Sequence, residues 1–133
     1  MLYKYEVVFS IISNGDTTME CLFCRIIKGE VPSTKVYETD KVVAFKDINP
    51  QAPVHILVIH MIHTPSVSET PSESSYIFAD MFDAVREIAK KFDLDTLGYR
   101  MIINNGKASG QLVFHVHIHI LGGQENLGPL LSR

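Results

Sequence analysis

Near its end the chain alternates without interruption: Phe114-His115-Val116-His117-Ile118-His119-Ile120. A period of two belongs to an extended strand, whose successive side chains leave on opposite faces. The pattern therefore predicts a sheet strand with His115, His117 and His119 on one face and Val116, Ile118 and Ile120 on the other. The apolar side must be covered by other elements. The imidazole side carries groups that titrate near neutral pH.

The remaining elements follow from local signals. Leu22, Phe23, Ile26 and Ile27 share one face of a short helix over residues 21–28, with Gly29 behind it as a C-terminal stop. Residues 35–38 and 41–46 read as strands around Thr39-Asp40, and residues 54–60 as a nearly continuous apolar strand. Thr70-Pro71-Ser72-Glu73 has the form of a helix start, with a capping threonine and proline at the first helical position. Ile77, Phe78, Met81, Phe82, Val85, Ile88, Ala89 and Phe92 then keep helical spacing to an end near residues 91–93. A strand over 99–104, a loop over 105–110 and a last strand over 112–121, stopped by Gly122-Gly123, complete the order. The expected class is α+β, an antiparallel sheet covered on one face by helices.

At 133 residues and 46% hydrophobic content, one domain with one core is expected. Residues 1–18 read as a variable extension before a single domain over 19–133. Their apolar stretch Val7-Val8-Phe9-Ser10-Ile11-Ile12 follows Glu6 and is short for a signal-peptide core; a targeting role is the other reading. Met19 is a possible alternative start. No apolar run reaches the ~20 residues of a membrane helix. The net charge of -3 is dispersed, which argues against nucleic acid as a partner. Two cysteines, Cys21 and Cys24, are too few for a disulfide framework and suit a reducing compartment, the cytoplasm or the nucleus.

Three histidines in strict alternation have two chemical readings, a metal site and catalysis. On a straight strand the backbones of His115 and His119 lie about 13 Å apart at roughly 3.3 Å per residue. Zinc–nitrogen bonds are only about 2.0–2.1 Å long, so one ion cannot take all three. The central imidazole is placed to attack phosphorus and form a phosphohistidine-type intermediate. A neighbour two residues on can hydrogen-bond the phosphate and pass a proton to the leaving group. The small-residue loop beside the strand can aim backbone N–H groups at phosphate oxygens.

The run His115-Val116-His117-Ile118-His119-Ile120-Leu121 resembles the signature of the histidine triad superfamily. Phe45-Lys46-Asp47-Ile48-Asn49-Pro50-Gln51-Ala52-Pro53-Val54-His55, Gly98-Tyr99-Arg100-Met101 and Leu121-Gly122-Gly123 extend the likeness to its nucleoside phosphoramidase branch, over about residues 21–131. The resemblance implies a five-stranded antiparallel sheet with a short N-terminal helix and one long helix, continued across a homodimer. It implies His117 as nucleophile, His119 as phosphate contact and leaving-group assistant, and His115 and His55 as hydrogen-bonding supports. Asp47 would accept the ribose hydroxyls. Asn104, Gly110, Gln111 and Leu112 would lie along the phosphate path. Leu22, Phe23, Ile26, Phe45 and Ile48 would form an apolar slot for the base of a purine nucleoside monophosphate. Two positions depart from the pattern. Leu112 stands where relatives carry a polar residue, and Gln124 where a basic one is common.

Some members of the superfamily complete a Cys-x-x-Cys pair with two histidines. The matching positions here are Cys21, Cys24, His63 and His115, which implies a closed structural zinc site; the bland reading is two half-buried thiols. With zinc bound, His115 would be a ligand and not a catalytic residue. The expected reaction, cleavage of an AMP–nitrogen bond through nucleotidyl-His117, requires no catalytic cofactor. Dinucleoside polyphosphate hydrolysis, nucleotidyl transfer and non-catalytic nucleotide binding remain alternatives, though His119 stands where branches with the first two activities usually carry glutamine. His60 has no role in this reading.

Overall fold

The computed structural model describes residues 21–131; the expected N-terminal extension lies outside them. In chain order the regular elements are α1 (Leu22–Ile27), β1 (Lys35–Glu38), β2 (Val42–Lys46), β3 (Val54–His60), α2 (Tyr76–Lys91), β4 (Arg100–Ile102) and β5 (His117–Gly122). The five strands form one antiparallel sheet in the order β1-β2-β3-β5-β4.

The two helices cover opposite faces, not the single face expected. Val42, Ala44, Ile56, Val58, Val116, Ile118 and Ile120 pack against α2 through Ile77, Met81, Ala84, Val85, Ile88 and Ala89. Their neighbours Val43, Phe45, Leu57 and Ile59 pack against Leu22, Phe23 and Ile26 of α1. The reason is visible in the strands themselves. Residues 42–45 and 56–59 are apolar at every position and buried on both sides, the pattern of a sheet with two covered faces. Phe23 meets Phe45 edge-on at 5.5 Å, so α1 enters the core through an aromatic contact.

Three boundaries also differ. The last strand begins at His117, not Leu112, because its partner β3 ends at His60 and the Val116 N–H goes instead to the Thr64 carbonyl at 2.8 Å. Thr70 does not cap α2. Its hydroxyl is held by the Ser66 carbonyl and Thr64 Oγ1, and a 3-10 turn over Ser72–Ser74 leads into the helix. β4 is three residues long, shorter than the expected 99–104. Within α2, Phe82 turns out to be 40% exposed although it fits the apolar spacing, while Ala84 is buried. No described helix is long and apolar enough to cross a membrane.

Candidate active site

The register Leu57↔His119 and Ile59↔His117 puts both histidines on the α1 face of the sheet centre. A cleft of about 420 Å³ opens there, within the range of small-molecule sites. His117, His119, His55 and Asp47 line it, with Phe23 and Leu57 as apolar wall.

The hydrogen bonds fix the nitrogens of each ring. His117 Nδ1 lies 2.8 Å from the His115 carbonyl oxygen. A carbonyl only accepts, so Nδ1 carries the proton and Nε2 keeps its lone pair. Burial pushes the His117 pKa down to about 4, with the bond to His115 opposing, so the ring is neutral at pH 7. On the other side of the cleft the Gln51 N–H donates to His55 Nδ1 at 3.0 Å. Neutral His55 must then carry its proton on Nε2, 2.9 Å from His119 Nδ1. His119 accepts it and holds its own proton on Nε2. Burial lowers the His119 pKa to about 4, helped by His55; burial also lowers that of His55, opposed by Asp47. The centroids of the 117 and 119 rings lie 5.1 Å apart, with a lone pair on Nε2 of His117 and an N–H on Nε2 of His119.

Asp47 sits in the turn after β2. Its Oδ1 accepts the Asn49 N–H at 2.8 Å, and Oδ2 lies 3.4 Å from His55 Nε2. Asp47, His55 and His119 bring donor atoms within 4.8 Å of one another, as a metal site would. The Gln51 N–H, however, claims the His55 Nδ1 lone pair. Offering Nε2 to a cation would place a second proton against that donor, so this trio is built for hydrogen bonding.

A second group of donors, of cysteines and histidines, is of a different kind. Cys21, Cys24, His63 and His115 also converge within 4.8 Å. His115 Nε2 donates to the His60 carbonyl at 2.8 Å, which leaves the Nδ1 lone pair facing the two sulfurs. Sulfur–nitrogen separations are 3.6 Å for Cys21–His115, 3.6 Å for Cys24–His115 and 3.4 Å for Cys24–His63; the two Nδ1 atoms are 3.2 Å apart. Tetrahedral zinc with bonds of about 2.3 Å to sulfur and 2.0–2.1 Å to nitrogen spaces a sulfur and a nitrogen ligand about 3.5 Å apart and two nitrogen ligands about 3.3 Å apart. The four donors therefore fit zinc. Cys24 hydrogen-bonding to Cys21 lowers the Cys21 thiol pKa and raises its own, as expected when two sulfurs share one proton.

Of the residues expected along the nucleotide path, Phe23, Asp47, Asn104, Gly110 and Leu112 line the cleft. Leu22, Ile26 and Phe45 are buried in the core behind it, and Ile48 is 41% exposed outside the lining. Gln111 turns inward. Its amide donates to the Pro65 and Val113 carbonyls and accepts the Gly106 N–H, so it ties the loop together. Gly110 sits at φ 94°, where a side chain would be strained. Gln124 lies away from the cleft and bonds the Asn126 carbonyl.

Several lining residues had no role assigned from the sequence. Arg100 reaches the Leu127 and Gly128 carbonyls at 3.3 and 2.5 Å, holding the C-terminal segment so that Leu127 and Leu130 close one side of the cleft. Asn49 and Gln51 lie within the stretch that carries the resemblance, but the part of Gln51 that acts on His55 is its backbone N–H. His60 proves structural. Its Nδ1 accepts the Ile62 N–H, and Nε2 donates to Asp80 of α2 at 2.9 Å, tying β3 to the helix.

A HIT domain profile matches residues 28–126. The chain is 42% identical over 113 residues to a protein named purine nucleoside phosphoramidase from Escherichia coli (strain K12), covering 85% of this chain and 94% of that protein. It is 42% identical over 110 residues to a 14 kDa zinc-binding protein from Zea mays, covering 81% and 85% respectively. Among solved structures, a histidine triad protein from Clostridium difficile superposes with a TM-score of 0.81 at 44% identity, covering 86% of this chain and 97% of that one. With the alternating histidines, the five-stranded antiparallel sheet and a family profile spanning most of the described residues, the chain belongs to the HIT, or histidine triad, family.

Proposed function

We propose that this protein hydrolyses the phosphorus–nitrogen bond of purine nucleoside phosphoramidates through a nucleotidyl-His117 intermediate. The observation that carries the reading is the Nδ1–H bond from His117 to the His115 carbonyl, which leaves a neutral Nε2 as the nucleophile beside His119. The name of the Escherichia coli relative supports the choice of substrate class.

The bound phosphate anion offsets the burial that keeps His119 neutral, so His119 takes up one proton at Nδ1 with the substrate, and the His55 Nε2–H turns from it to the Asp47 carboxylate, whose Oδ2 is 3.4 Å away. His117 Nε2 attacks the α-phosphorus. As the P–N bond breaks, His119 passes its Nε2 proton to the departing nitrogen, which leaves as the neutral amine. Water then attacks the nucleotidyl-histidine and gives a proton back to His119. The nucleoside monophosphate departs, and His117 Nε2 recovers its lone pair. Asp47 receives the ribose hydroxyls, and Phe23 walls the base side of the cleft. Both steps use only imidazoles and water.

Cys21, Cys24, His63 and His115 hold zinc in this reading. The ion supplies a cross-link between α1 and the segment before β5, with four protein ligands and no open position. The chain pairs as a homodimer through the exposed edge of β4, where Met101 is 39% exposed. The free cysteines and zinc-type ligand set favour a reducing cytoplasmic setting.

The test is a mass spectrum of protein quenched during turnover of adenosine 5'-phosphoramidate. A nucleotidyl adduct on the peptide bearing His117 is expected. Turnover with no adduct, and none after rapid quench, would remove the covalent route.

A further inference from the structure

The geometry points to His115 and Phe23 as positioning residues that couple cation binding at the cysteine-histidine cluster to the orientation of the His117 ring. The inference rests on the zinc assignment; the proposed reaction enters only its kinetic arm.

Two independent links run between the sites. The first is through His115 itself. Its ring faces the cluster through Nδ1, while its carbonyl accepts the His117 Nδ1–H at 2.8 Å. That carbonyl belongs to an irregular segment, since β5 begins only at His117. The segment has no strand ladder to hold it. It is fixed by the Val116 N–H to the Thr64 carbonyl, by His115 Nε2 to the His60 carbonyl, and by whatever draws the His115 ring toward the sulfurs. A cation there sets the third restraint and, through a rigid peptide plane, the acceptor of the catalytic ring.

The second link is through α1. Phe23 lies between Cys21 and Cys24 in the sequence, and its ring meets His117 edge-on at 5.0 Å and 87°. It also meets His115 at 6.0 Å. A cation that clamps both cysteines to His63 and His115 therefore fixes the start of α1, and with it the aromatic edge against the nucleophile. One ion holds the His117 ring from two sides, by a hydrogen bond and by an aromatic wall.

The experiment compares full-length protein loaded with zinc, stripped by a chelator, and reloaded with cadmium, using 15N-histidine labelling. In the zinc form a single His117 tautomer with a protected Nδ1–H is expected. In stripped protein that still shows protected β2 and β3 amides, exchange of this proton should quicken about tenfold, the scale of one weakened hydrogen bond, and kcat should fall comparably. Where stripping unfolds the chain, the cadmium form decides: its longer bonds should shift the His117 Nδ1–H signal more than any signal of β1. Unchanged ring-proton exchange in folded stripped protein, an unshifted signal with cadmium, or a protein that takes up neither cation would overturn the coupling. Absent turnover by the zinc form, with the ring signal responding as expected, would strike the proposed reaction alone.

Discussion

His115 and His117 stand two residues apart on the same side of the chain, yet they present opposite nitrogens. His115 donates from Nε2 to the His60 carbonyl and turns Nδ1 toward two sulfurs. His117 donates from Nδ1 to the His115 carbonyl and keeps Nε2 for the cleft. In each case the job of the ring is decided by which nitrogen a backbone carbonyl occupies. In the proposed reading, one end of the histidine row is a closed ligand set and the other an open nucleophile. Residue type supplies the capacity, and main-chain acceptors assign the role.

The strongest break of this contrast is His117→Ala. It should lower kcat for phosphoramidate by at least about a thousandfold, since a lost nucleophile is replaced by nothing of similar reach. AMP affinity by calorimetry should stay within a few fold. Full turnover in the variant would end the comparison, because both histidines would then be structural. At the other end, Cys24→Ser should lower Tm by about 10 °C, on the order of 2–3 kcal/mol for a chain of this size. The drop should vanish when wild type and variant are both measured metal-free. A persistent difference would mean that Cys24 acts through packing and not through a cation.

How much of this was legible beforehand differs between the two ends. The alternation showed which side His115, His117 and His119 share, because a two-residue period survives in extended chain whether or not it is paired. It did not show that pairing starts at His117, since that depends on where β3 ends and on a Thr64 carbonyl remote in sequence. The four cluster donors emerged only through the family likeness; spacing alone gives half a site in Cys21 and Cys24. The covering of both sheet faces was written in the unbroken apolar runs of β2 and β3, which the one-faced reading passed over. The nitrogen assignments were not legible at all. They rest on main-chain carbonyls and N–H groups, which every residue type but proline supplies alike.

The His117 end should also show itself in pH dependence. His117 and His119 titrate near 4 in the fold and near 6.5 when unfolded. The unfolded chain thus binds protons first as pH falls. Stability is full above about pH 6.5 and declines toward pH 4, with an upper bound on the order of 3 kcal/mol for His117. Thermal melts between pH 7 and 4.5 should fall less steeply for His117→Ala than for wild type. Parallel curves would show that burial of this ring does not hold it neutral.

The smallest effect sharpens the contrast most, because it concerns a proton's position rather than a group's presence. His55 connects the Gln51 N–H to His119, so that a backbone donor on one loop decides which nitrogen of His119 faces the cleft. His55→Phe keeps a ring of similar bulk and removes both hydrogen bonds. His119 then loses the partner that fixes its Nε2–H. The expected cost is that of one net hydrogen bond, a roughly two- to twelvefold lower kcat with little change in AMP affinity. The 15N shifts of His119 should move from a single tautomer toward a mixture. A loss beyond about a hundredfold would place His55 on the substrate itself. An unmixed His119 tautomer would mean that the cleft, and not the Gln51 backbone, sets its proton.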